Sequence, residues 1–324
     1  MPRPRHLAAA LLGPCLALGL TVAAAPAATA GTPTPARAAL GLPVSTYAVT
    51  LPSGDPADVY HPRVPAALRP VLTDAFPVVA VLQGANVDKA QYGDVSRVLA
   101  RQGFVVVVPN HVRPPGGPLP PGLFTSQTVV PNVLAAATAE DDRPGSPIAG
   151  VVDTDRLGVV GHSFGGAVAL FAAADVCEFP LCDGPYRRPA ALKAVAAYGT
   201  NLATGDRLDR DLDTSGVAVA LVQGTLDGIA PLAEAEVTYP SLERPRALIT
   251  IAGANHYGIT DVDDPTGAAP DPNEPALAQD RATTLVGRWS GLWLRAQLRG
   301  DPVARTLIEL FRGSVDGTVR VRTD

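Results

Sequence analysis

Six short apolar runs recur through the middle of the chain and set its architecture: "FPVVAVLQG", "GFVVVVPNH", "RLGVVGHS", "ALKAVAAYG", "GVAVALVQG" and "RALITIAG". Each is continuously apolar rather than alternating, the pattern of a strand covered on both faces. Segments with helical spacing fall between them, among them "VSRVLARQ", residues 130–140 and "GGAVALFAAADV". Strands that alternate with helices in this way build a mostly parallel sheet with helices on both faces, an α/β architecture. With 324 residues, 47% of them hydrophobic, the chain has ample material for such a core.

Two further strand-like runs, residues 45–51 and 58–61, precede the first apolar run. A long final helix is expected over "QDRATTLVGRWSGLWLRAQLRG", where Trp289 and Trp293, one turn apart, read as core packing. The closing "SVDGTVRV" reads as a small hairpin around Asp316 and Gly317. No internal repeat or change of composition interrupts residues 45–324, which are expected to form a single domain.

Ahead of that domain, residues 1–30 show two arginines, an apolar stretch and the small-residue site Ala28-Thr29-Ala30, the build of an export signal. Residues 31–44 follow as a Pro/Gly/Ala-rich linker. The expectation is a secreted chain with no stable membrane span once the signal is cleaved; an uncleaved anchor is the competing reading. In an exported chain Cys177 and Cys182, in "CEFPLCDG", are expected to close a local disulfide. The 26 basic and 31 acidic residues give a net charge of -5 with no basic cluster, which argues against nucleic-acid binding.

In "GHSFG", residues 161–165, a serine stands where an apolar strand turns directly into a helix. Such a turn imposes backbone angles at Ser163 that only small neighbours tolerate, and it lifts the hydroxyl above the carboxyl end of the sheet. With 31 glycines and 10 serines, about 0.1 chance matches to G-x-S-x-G are expected, so the strand-to-helix context carries the signal. The plain alternative is an ordinary tight turn.

A serine hydroxyl becomes a nucleophile only when an imidazole takes its proton and a carboxylate orients that imidazole. His162 adjoins the serine and is expected to point away, buried beside the sheet. His61 reads as structural or surface, and His111, at the end of "VVVVPNH", as an edge of the pocket. His256 follows the last apolar run and is the base by position. Asp227, just past "VAVALVQG", is the acid by the same argument, whereas residues 206–213 read as a solvated acidic loop. Attack on a carbonyl further needs two donors for the developing oxyanion: the N–H of Phe164, and the N–H of Ala85 after the first buried run.

These residues resemble secreted bacterial cutinase-like polyester hydrolases and, more loosely, platelet-activating-factor acetylhydrolases and chlorophyllases. The similarity runs from about residue 45 to 311, through "VVAVLQGAN", "ARQGFVVVVPNH", "DTDRLGVVGHSFGGAVAL", "LVQGTLDGIAP" and "ITIAGANHYGITD". It implies an α/β-hydrolase fold, with Ser163, Asp227 and His256 as the triad and Ala85 and Phe164 as oxyanion donors. The cutinase-like enzymes carry an aromatic residue and a methionine at the last two positions, so their polymer groove does not transfer.

The expected activity is therefore that of a serine carboxylic-ester hydrolase working through an acyl-enzyme on a small-molecule or polymeric ester. Acyl transfer on the same triad and a non-catalytic binding module of the same fold are the alternatives. No metal or organic cofactor is expected. Carboxylates at 261–264, in the acidic stretch 261–274, offer oxygens to a cation such as calcium, but their spacing is no recognised cage and a solvated loop is the plainer reading. Leu123 and Phe124 are candidate lining for an acyl pocket, and residues 177–215 form an insert without an assigned role.

Overall fold

The computed structural model describes residues 42–113 and 120–324. The expected export signal over 1–30, most of the linker over 31–44 and residues 114–119, in the proline-rich loop "RPPGGPLPPGLF" over 113–124, lie outside the described residues. Nine strands form one sheet: β1 (Val44–Thr50), β2 (Pro56–Pro62), β3 (Phe76–Leu82), β4 (Val105–Pro109), β5 (Val152–His162), β6 (Leu192–Tyr198), β7 (Ala218–Gly224), β8 (Arg246–Ile251) and β9 (Val319–Thr323). Their order is β1-β2-β4-β3-β5-β6-β7-β8-β9. The six apolar runs supply the parallel centre, β4 through β8, while β1, β2 and β9 pair antiparallel at the two edges.

Continuous apolar runs are required here because both faces of the sheet are covered. Val78, Ala80 and Leu82 of β3 enter one core while Val79 and Val81 enter the other. Helices α2 (Val129–Asp142), α3 (Phe164–Ala173) and α4 (Leu232–Thr238) close the first core; α1 (Gly93–Arg101) and α5 (Gln279–Arg299) close the second. Each fully buried valine of these runs contributes about 1.5–3 kcal/mol relative to exposure. Trp289 and Trp293 are both buried in the second core, and the Trp293 indole N–H donates to the Val195 carbonyl at 3.0 Å.

One expectation is extended. The terminal segment turns back on itself as expected, Gly313 bridging Arg320, and its second arm goes further: β9 joins the main sheet along β8, covering an edge that would otherwise expose unpaired backbone groups. The proline-rich loop also carries regular pairing at its ends, where Val112–Arg113 faces Gly122–Leu123 in a short antiparallel ribbon.

From β3 the chain runs through α1 to β4 on one side, then returns through α2 to β5 on the other side of β3. The strand order therefore reverses between β3 and β5. In open α/β sheets the crevice at such a reversal, past the carboxyl ends of the strands, is the usual place for a ligand.

Candidate active site

Ser163 stands at the reversal point, between the end of β5 and the first residue of α3. Its backbone adopts φ 52° and ψ -119°, a conformation that costs a residue bearing a side chain about 1–3 kcal/mol. Neighbouring bonds hold it there: the Ser163 N–H donates to the Tyr198 carbonyl at 2.9 Å, and the Ser163 carbonyl accepts from Gly166 at 2.8 Å and Ala167 at 3.1 Å. A serine at a helix N-cap ordinarily turns its oxygen onto the helix N–H groups. Ser163 makes no such bond, so its hydroxyl is not spent on capping α3.

The glycines around it follow from backbone crossing. A Cβ on Gly161 would stand 2.4 Å from the Gly165 carbonyl oxygen, and one on Gly165 would stand 2.4 Å from that of Leu82. The turn thus lies directly against the end of β3, and a Cβ on Gly84 would come within 3.4 Å of the Ser163 Cβ. That contact places the loop carrying Ala85 beside the turn that leads into Phe164. Phe164 opens α3, where an N–H has no partner inside the helix. Among the described residues neither Ala85 nor Phe164 donates its N–H to a backbone acceptor outside the regular elements.

Asp227 and His256 come from the loops after β7 and β8, two adjacent parallel strands. Nδ1 of His256 lies 3.0 Å from both carboxylate oxygens of Asp227, and both side chains are buried. Asp227 is held in turn by the Ile229 N–H at 3.0 Å, the Ala230 N–H at 2.7 Å and the Gln223 amide at 2.9 Å. A carboxylate at Nδ1 favours, in the neutral ring, the tautomer with its proton on that nitrogen and the lone pair on Nε2. No hydrogen bond joins Nε2 to the Ser163 hydroxyl, a contact that often tightens only around substrate.

His162 does more than fill space beside the sheet. It is fully buried, its ring centroid 5.0 Å from that of His256. Burial, reinforced by the neighbouring His256, holds its pKa well below the ordinary histidine value, so the ring is neutral. The Gly84 N–H donates to the Tyr92 hydroxyl at 2.8 Å; that hydroxyl bonds His162 Nδ1 at 2.9 Å, and Nε2 lies 3.0 Å from the His256 carbonyl. One chain of neutral hydrogen bonds therefore connects the loop after β3 to the loop that carries His256. Tyr92 and Gln223 have no sequence signature, and both would have been found only from the fold.

The remaining expectations sort themselves by place. Cys177 and Cys182 form a disulfide with a Cα–Cα separation of 5.3 Å. His61 is buried, its Nδ1 3.0 Å from the Pro62 carbonyl. His111 does not open onto the crevice as a free edge; it is clamped between Asp55, 2.9 Å from Nδ1, and Asp183, 2.7 Å from Nε2. Burial alone would lower its pKa, but the bonds to Asp183 and Asp55 outweigh that and push it up to about 9. Phe124 packs edge-on against Phe164 at 5.4 Å, and the Leu123 carbonyl accepts the Asn86 N–H at 2.7 Å, so both residues flank the loop after β3.

The acidic stretch is mostly exposed, as a solvated loop is, yet several of its carboxylates are tied down. Asp261 accepts the N–H groups of Gly93 at 3.1 Å and Asp94 at 2.9 Å, at the start of α1, and Asp263 accepts the Asn255 amide at 2.9 Å. Among the described residues no three His, Cys, Asp or Glu side chains converge as a metal site requires, and no helix is long and apolar enough to cross a membrane. No protein-family model matches the chain, and no curated protein matches it in sequence.

Proposed function

We propose that the chain is a secreted serine carboxylic-ester hydrolase with an α/β-hydrolase fold, Ser163 being its nucleophile, His256 its base and Asp227 the orienting acid. The observation that carries this reading is the buried Asp227–His256 pair, 3.0 Å apart, on the same edge of the sheet as a serine held at φ 52° with its hydroxyl uncommitted. A structural serine does not require a strained turn, and a structural histidine does not require a dedicated carboxylate on the neighbouring strand.

In this reaction Nε2 of His256 takes the Ser163 proton as Oγ bonds to the ester carbonyl carbon. The carbonyl oxygen gains negative charge opposite the N–H groups of Ala85 and Phe164, each such donor being worth about 3 kcal/mol. The imidazolium, stabilised by Asp227, returns the proton to the leaving alkoxide as the carbon–oxygen bond breaks, and the alcohol departs. Water then attacks the acyl-enzyme with His256 again as base, releasing the carboxylic acid and restoring the Ser163 hydroxyl. Phe124 and Phe164, paired edge to face beside the turn, supply an apolar wall for the acyl or alcohol group.

The test is hydrolysis of p-nitrophenyl esters from acetate to long acyl chains by the intact protein, beside Ser163→Ala. Turnover of at least one ester, lost in the variant, is expected. A variant with full turnover sinks the assignment.

A further inference from the structure

Three loops meet behind the Asp227–His256 pair, and the third of them belongs to the acidic stretch. Its Asp271 side chain accepts the backbone N–H of His256 at 2.7 Å through Oδ2. The backbone N–H of Gly228, the residue after Asp227, reaches the same carboxylate at 3.1 Å from Oδ1 and 3.3 Å from Oδ2. Oδ1 also accepts the Asn273 N–H at 2.8 Å, and the Asp271 N–H donates to Asp264 at 2.8 Å, so the carboxylate is itself fixed in place. The loop sits tightly on the acid side: a Cβ on Gly228 would stand 2.6 Å from Oδ1 of Asp271 and 2.6 Å from a ring carbon of Pro272.

Taking the triad reading as its basis, we infer that Asp271 is a positioning residue that sets the distance between the catalytic acid and base by gripping the backbone of both. The loops already share two backbone bonds, Leu226 N–H to Ala254 at 2.9 Å and Thr225 N–H to Ile251 at 3.1 Å, but both lie on the strand side of the pair. Asp271 closes the other side, at the residue that bears the imidazole. Asn255 extends the same brace, its amide reaching Asp263 at 2.9 Å and the Asn273 carbonyl at 3.2 Å. A carboxylate suits the task because it has four lone pairs and no donor, so it accepts from several N–H groups without a mismatch. An asparagine there turns an N–H2 group towards one of those N–H donors. A displacement of about 1 Å in such a pair costs roughly 100-fold in rate.

The experiment compares the full chain with Asp271→Ala and the near-isosteric Asp271→Asn, using p-nitrophenyl butyrate with circular dichroism and Tm on each protein. The expected result for either folded variant is a kcat lower by about 10- to 100-fold with KM changed by less than about 2-fold, the signature of misaligned chemistry rather than weakened binding. In an Asp227→Asn background the same Asp271 change is expected to cost less than about 3-fold, because the pair it aligns is already broken. An unchanged kcat in a folded variant, or a loss that multiplies fully with that of Asp227→Asn, overturns the inference. Wild-type protein that turns over no ester overturns the esterase reading and this inference together, whereas active wild type, inactive Ser163→Ala and fully active Asp271→Ala overturn this inference alone.

Discussion

Nδ1 of His256 is equidistant, at 3.0 Å, from the two carboxylate oxygens of Asp227. An Asp227→Asn change keeps the shape but presents an amide N–H2 group to Nδ1, favouring the tautomer with its proton on Nε2, where the serine proton has to go. The kcat for p-nitrophenyl ester hydrolysis is expected to fall about 10³- to 10⁴-fold, with little change in KM. Steady-state kinetics on the folded variant check it.

Tyr92 is predicted to matter although it touches no reacting atom. Removing its hydroxyl in Tyr92→Phe leaves the buried Gly84 N–H and His162 Nδ1 without their partner, at a cost of about 1–3 kcal/mol in stability. Activity is expected to drop as well, because Gly84 precedes Ala85, the proposed oxyanion donor. Urea unfolding and kcat, measured on the same preparation, test both effects; a stable and fully active Tyr92→Phe would remove the network from the account.

Gly165→Ala addresses the turn itself. Its Cβ would stand 2.4 Å from the Leu82 carbonyl oxygen and 2.5 Å from that of Gln83, both backbone atoms of the adjoining strand and the loop that follows it. The variant is expected to lose about 4 kcal/mol or more, or to fail to accumulate as folded protein. Soluble yield and chemical denaturation give the answer.

The His111 clamp makes a prediction about pH. Its pKa is raised from 6.5 to about 9 in the folded chain, so the stabilisation is fully present below about pH 6.5 and is lost as pH rises through about 9. Asp183, held low chiefly by its bond to His111, works in the opposite sense and loses its contribution only in acid. Between pH 7 and pH 10 the wild-type Tm is expected to fall about 2–4 °C further than that of His111→Gln. Parallel melting profiles of the two proteins would show an equal decline if the clamp carried no charge.

Much of this was legible before any coordinates. The continuous apolar runs encode a sheet covered on both faces, and they place Ser163, Asp227 and His256 near strand ends because each residue lies a few positions or fewer past such a strand. Other features have no local signature. Asp271 sits in a stretch whose charge density reads as solvated surface, yet its oxygens are engaged by N–H groups 15 and 43 residues away in sequence. His162 reads as a bystander because it adjoins the proposed nucleophile, and only the placement of Tyr92 and of the His256 carbonyl shows its two bonds. The pairing of β9 with β8 is missed for a similar reason: β8 lies about 70 residues earlier in the chain.

The most direct test of the account is covalent labelling of the intact protein with a fluorophosphonate, read by whole-protein mass and peptide mapping. A single adduct on Ser163 is predicted, absent in Ser163→Ala and formed far more slowly in His256→Ala. An adduct on another residue, or ester hydrolysis that continues after Ser163 is fully modified, would contradict it.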